Sequence, residues 1–175
     1  MEARSPFVVG RQPGFAPEVG GLVVMLSYAR RTTLKAVAGL SASQLDHLQD
    51  AESNSIGALL AHIAAIEVAY QCATFEQRRL SPAEQARWGA AMALGARGRD
   101  EIRGRPLDHY VATLDEVRAH TLRELAARDD GWLAETTPFW GGQLANNHFK
   151  WFHVLEDEIN HRGQIRWLRR RLPGT

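Results

Sequence analysis

The sequence predicts an all-α protein, a four-helix bundle with one extra short helix in the connection spanning 76–105. Three observations lead there. Four segments repeat apolar residues at spacings of three and four, the signature of helices with one buried face. Each segment is bounded by residues that cap or break helices. Nowhere does apolar–polar alternation run long enough to build a sheet.

The first 16 residues hold Pro6, Gly10, Pro13 and Gly14 and read as an arm, which leaves 17–175 as a single helical domain. Pro17 suits a first helical turn, and Glu18 beside it complements the positive end of the helix dipole. Leu22, Met25, Leu26, Ala29 and Thr33 then mark one face of a helix over 17–38, which Gly39 stops. Residues 40–52 read as a connecting turn. Ser53, Asn54 and Ser55 offer capping side chains before Ile56, Leu59, Leu60, Ile63, Ile66 and Tyr70, a helix running to Phe75. That helix is apolar almost all round its middle, which places it deep in the bundle.

Ser81, Pro82 and Glu84 look like a capped start, giving a short helix to Leu94. The run GARGRDEIRGRP reads as a loop. Leu107, Tyr110, Val111, Leu114, Val117, Thr121 and Leu125 define a long helix over 107–128 that Asp129, Asp130 and Gly131 end. Residues 132–145, with Pro138, Trp140, Gly141 and Gly142, read as an aromatic loop. The last helix runs from Asn146 to Arg171, with Phe149, Phe152, Leu155, Ile159, Ile165, Leu168 and Leu172 as its apolar members.

Composition excludes several classes. The 175 residues are 45% hydrophobic and 23% charged, ordinary for a globular domain with its own core. Twenty-one basic and 20 acidic residues give a formal charge of +1, so no global field attracts nucleic acid or an anionic membrane. Arginines cluster at 97–105 and 169–171, where solvation and the helix dipole account for them. The one cysteine, Cys72, allows no disulfide within the chain and reads as a buried structural thiol. The first residues lack the apolar segment of a signal peptide, and no uninterrupted apolar stretch has the length of a membrane span. A cytoplasmic protein without membrane or nucleic-acid partners is the expectation.

The chemistry concentrates in HVLEDEINHRGQI, residues 153–165. Asp157 and His161 stand one helical turn apart on one face, so they can offer two ligands to a single ion. A third ligand must come from another helix, and His62 is the candidate. It sits among Leu59, Leu60, Ala61, Ile63 and Ile66, where an unpartnered imidazole costs roughly 1–3 kcal/mol. Taken alone, it reads as a core histidine donating to a backbone carbonyl or to a carboxylate such as Glu67, and the Asp157/His161 pair turns the reading towards a ligand. Two imidazoles and a carboxylate make a divalent site for zinc, nickel, iron or manganese. Around it, Glu158 points some 100° away from Asp157 and suits an interhelical partner. His153 lies on the same stripe but two turns from His161, and Gln164 could orient a bound water or ligand. Tyr70, Trp140 and Trp151 read as core or pocket wall.

Together with NSIGALLAHIAAIE, residues 54–67, this C-terminal segment resembles the DinB/YfiT-like superfamily of metal-binding four-helix bundles. The resemblance covers most of the chain and is weakest at the arm and over 76–105. It implies one metal ligand from the second long helix and two, spaced by four, from the last, the second in an H-R-G-Q context. Those positions are His62, Asp157 and His161. Many members carry histidine where this chain has Asp157, a change that hardens the ligand set and favours iron or manganese.

The resemblance also implies a function. Either a metal-dependent transferase adds a low-molecular-weight thiol, of bacillithiol or mycothiol type, to an electrophilic small molecule, or a metal-dependent hydrolase acts at the same site. A non-catalytic metal-binding stress-response protein is the alternative from another class. A homodimer is expected by analogy with related bundles.

Overall fold

The computed structural model describes residues 7–173, and among them eight α-helices form the fold. Four long ones make the bundle: α1 (Pro17–Val37), α3 (Ile56–Thr74), α6 (Leu107–Ala126) and α8 (Asn147–Arg169). Four short ones fill the connections: α2 (Ala42–Asp46), α4 (Pro82–Ala93), α5 (Gly95–Glu101) and α7 (Asp130–Ala134). The strands β1 (Thr136–Pro138) and β2 (Leu144–Asn146) pair antiparallel, Thr137 opposite Ala145.

Side-chain partners fix how the long helices run. His62 faces His161 while Trp151 donates to Thr74, so α3 and α8 are antiparallel. Glu67 meets Arg118 and Gln71 meets Thr121, so α3 and α6 run parallel. Arg30 meets Glu158 and Arg169 reaches the Ala36 carbonyl, so α1 and α8 are parallel as well. Two apolar clusters fill the interior. One gathers around Leu59, Leu60, Leu114 and Ile165, and the other around Leu22, Leu26, Leu125 and Trp151.

Local chemistry sets the helix ends. Ser55 caps α3 by accepting from the Ala58 N–H, and Ser81 with Glu84 forms a reciprocal capping box on α4. The start of α1 has no side-chain cap of its own. Asp130 supplies one from α7, accepting from the N–H groups of Glu18 and Val19 at 2.9 and 3.2 Å. The arm folds back across α1: a Cβ on Gly20 would lie 2.6 Å from the backbone N of Gln12, so only glycine admits that approach. The α3 helix is long and apolar enough to cross a membrane, yet 78% of its most apolar window is buried inside the bundle.

The connections differ from expectation at three places, and α8 at one. Residues 40–52 contain α2, which a second capping box between Ser41 and Gln44 starts. GARGRDEIRGRP is not a loop but begins as α5, where Arg97 and Glu101 pair one turn apart and Asn54 accepts from the Gly95 N–H. The aromatic segment 132–145 holds most of α7, the whole of β1 and a 3-10 turn at Trp140–Gly142. Strands of three residues are too short to leave an alternation signal, which is why none was legible. In α8, Phe149, Phe152 and Ile159 lie 46%, 47% and 38% exposed, so its apolar stripe is wider than the face it buries.

Candidate metal centre

The packing of α3 against α8 brings His62, Asp157 and His161 together. Their ligand-capable atoms all lie within 4.8 Å of one another. Asp157 Oδ1 is 3.7 Å from His62 Nε2 and 3.4 Å from His161 Nε2, and the two imidazoles meet edge to face at 4.7 Å. All three side chains keep a sliver of solvent access.

His62 Nδ1 lies 2.8 Å from the Ala91 carbonyl of α4. A carbonyl only accepts, so Nδ1 carries the proton and the lone pair of a neutral ring is on Nε2, facing Asp157. Such a hydrogen bond on the far nitrogen orients metal-ligating histidines generally. A carboxylate oxygen and two imidazole nitrogens thus converge on one small volume, and with both rings neutral and a lone pair on His161 Nε2 they form a donor set for a cation. Two further atoms of the cluster, Asp157 Oδ2 and His161 Nδ1, are buried with no hydrogen-bond partner among the described residues. Donor types, convergence and unmet valences all fit a divalent ion.

Electrostatics agrees. Burial works to raise the Asp157 carboxyl, but the His161 and His62 imidazoles beside it outweigh that and hold its pKa at about 2. Burial likewise opposes charge on His62, yet Asp157 and the Ala91 carbonyl leave its pKa raised. Burial and the Asp157 charge together push the Tyr70 phenol up to about 12, so it stays a neutral donor.

The neighbouring candidates take other parts. Glu158 is no competing ligand. It enters a buried ion network with one charged residue from each long helix: Arg30, Glu67, Arg118 and Glu158 itself. Arg118 donates to Glu67 at 2.7 Å and to Glu158 at 3.0 Å, and Arg30 reaches the same two carboxylates at 2.9 and 3.0 Å. Glu67 is thereby committed, which explains why His62 turns to a backbone carbonyl instead. His153 pairs with Glu156 at 3.2 Å and sits edge-on to the Trp140 ring, outside the ligand cluster. Gln164 is exposed and lines a shallow groove with Ser53, Asn54 and Trp167, outside the ligand cluster. Cys72 is buried, and burial together with Glu84 and Glu76 raises its thiol to about 11, an inert form. Trp151 is core, whereas Trp140 stacks on Phe139 at the hairpin tip.

Arg30 and Arg118 escaped the reading of the sequence. Their signal was positional: each lies inside an apolar stripe, Arg30 between Ala29 and Thr33 and one turn from Leu26, Arg118 beside Val117 and one turn from Leu114. Arginines there must be paired or costly.

Fold and cluster together define an all-α bundle with a two-histidine, one-carboxylate centre between two of its long helices. The family model for mycothiol-S-transferase matches residues 21–174, and the chain belongs to that family, of the DinB/YfiT-like type. A crystal structure titled as a conserved protein from Enterococcus faecalis superposes with a TM-score of 0.69 at 13% identity, covering 88% of this chain and 96% of that one, a likeness of fold. No curated protein sequence matches the chain.

Proposed function

We propose that the chain is a metal-dependent thiol S-transferase that conjugates a low-molecular-weight thiol of mycothiol type to an electrophilic small molecule. The observation that carries this is the convergence of His62, Asp157 and His161 with two buried valences unmet, in a chain of a thiol-transferase family. Three protein ligands leave room for an exogenous one, as open catalytic sites do. A divalent ion bound there favours thiolate over thiol near neutral pH.

The residues of the chain do the rest. Asp157 stays anionic and supplies negative charge to the ligand set. His62 is locked by Ala91 so that only Nε2 faces the centre. Tyr70, held as a neutral phenol, is available to donate to substrate, with Phe139 against its ring and Trp140 against His153. In the transfer the thiol proton passes to water, a sulfur–carbon bond forms, and the leaving group departs with its electron pair. Zinc, nickel, iron and manganese are all compatible with the donors, and the carboxylate tilts preference towards iron or manganese.

The test uses the cobalt-substituted protein. Addition of mycothiol should produce a sulfur-to-metal charge-transfer band, and the metal-loaded protein should conjugate mycothiol to monochlorobimane while the Asp157→Ala variant does not. A thiol that neither perturbs the spectrum nor is consumed would reject transfer and leave an ion that only joins α3 to α8.

A further inference from the structure

A half-open pocket lies apart from the ligand cluster. It is a cavity of about 350 Å³ between α3, α4 and α6, closed at one end by the residues that follow α5. Its floor is apolar, with Leu60 from α3, Trp88 from α4 and Ile102 after α5. Two arginines, Arg87 and Arg105, and His109 stand at its rim. The carboxylate in the lining, Glu101, already accepts from Arg97 at 2.7 Å, and Arg87 lies over the Trp88 ring at 4.6 Å with a loose, exposed pairing to Glu116 at 3.8 Å. The Arg105 guanidinium and the His109 imidazole have no hydrogen-bond or ion-pair partner among the described residues. Unpaired donors above an apolar floor, in a space of the size that small molecules occupy, match a guest with an apolar body and one anionic end.

The cavity is separate from the metal centre. The cluster is built on the α8 side of α3, and no α8 residue lines the cavity. One residue touches both: Ala91 lines the cavity wall, and its carbonyl holds His62 Nδ1.

We propose that this cavity binds a small organic carboxylate, its apolar body on Leu60, Trp88 and Ile102 and its carboxylate on Arg105, with Arg87 and His109 completing the rim. The site does not depend on the transferase reading. Titration calorimetry with benzoate, and with benzamide as its uncharged counterpart, tests it on the wild type, Arg105→Gln and Asp157→Ala, each checked for helicity. Arg105 is exposed, so its replacement leaves the core intact. Benzoate should bind the wild type at least about tenfold more tightly than benzamide, and Arg105→Gln should weaken it by about tenfold or more, the effect of losing one charge-assisted contact. Asp157→Ala should bind benzoate like the wild type. No benzoate binding up to about 10 mM, equal binding of benzamide, indifference to Arg105→Gln, or loss in Asp157→Ala, which would put the carboxylate on the metal, each overturns the proposal.

Discussion

Replacing Glu67 by glutamine should destabilise this protein more than any exposed charge substitution of the same kind. Glu67 is fully buried and accepts from Arg118 Nε at 2.7 Å, Arg118 Nη2 at 3.0 Å, Arg30 Nη2 at 2.9 Å and the Thr121 hydroxyl at 2.6 Å. With Glu158 it balances two buried guanidinium groups. Glutamine keeps the shape but leaves the network with a net positive charge in the core, and turns an NH2 group towards a donor. Breaking a buried pair in this way costs about 3–5 kcal/mol. Against a total stability of about 5–15 kcal/mol that is a large fraction. A domain of this size should lose about 6–20 °C in Tm. Urea unfolding followed by circular dichroism measures it, with an unchanged m-value confirming that the native state is the one affected. Glu101→Gln is the control. Its pair with Arg97 is 51% exposed on both sides, and such pairs contribute under about 1 kcal/mol. If Glu67→Gln costs less than about 1 kcal/mol, the buried network does not hold the four helices together as argued.

The same carboxylate sets the acid limit. Burial works to raise it, but Arg118 and Arg30 prevail and hold it at about 2 against an ordinary 4.5, so below 4.5 the unfolded chain takes up the proton first. Its contribution, on the order of 3 kcal/mol, is whole above the ordinary value and fades as pH falls towards 2. Urea midpoints at about pH 6, 4 and 3 should fall in that order, more steeply in the wild type than in Glu67→Gln. Ser55→Ala removes the cap on α3 and should cost about 1 kcal/mol in the same assay. A loss within error would mean that the Ala58 N–H finds water as readily as Ser55.

The long helices were legible because each has a face that must be apolar and ends that must be capped. Ile56, Leu59, Leu60 and Ile63 with Ser55 before them left little freedom, and the observed Ile56–Thr74 falls one residue short of the expected end. The ligand cluster was legible in two parts: the four-residue spacing of Asp157 and His161 places them on one face, and His62 is polar where its neighbours are not. That the two parts meet depends on how α3 and α8 pack, which spacing within a helix cannot express.

The short elements were illegible for a related reason. The five residues of α2 and the seven of α5 have no period to read, and their local supports, the Ser41–Gln44 capping box and the Arg97–Glu101 pair, join contacts from elsewhere in the chain such as Asn54 on the Gly95 N–H. Arg30, Glu67, Arg118 and Glu158 are the strongest case. Arg30 and Arg118 stand inside apolar stripes and Glu158 suits an interhelical partner, but which charge meets which is settled only when four helices bring them face to face.

The metal centre itself is tested most directly by counting ions. Protein purified without a histidine tag or chelator, and analysed by elemental mass spectrometry beside His62→Ala, Asp157→Ala and His161→Ala, should carry about one divalent ion per chain in the wild type and a small fraction of that in each variant. A wild type that takes up no zinc, nickel, manganese or ferrous iron on incubation, or variants that retain the ion, would contradict the account and leave His62 as a histidine held by Ala91 alone.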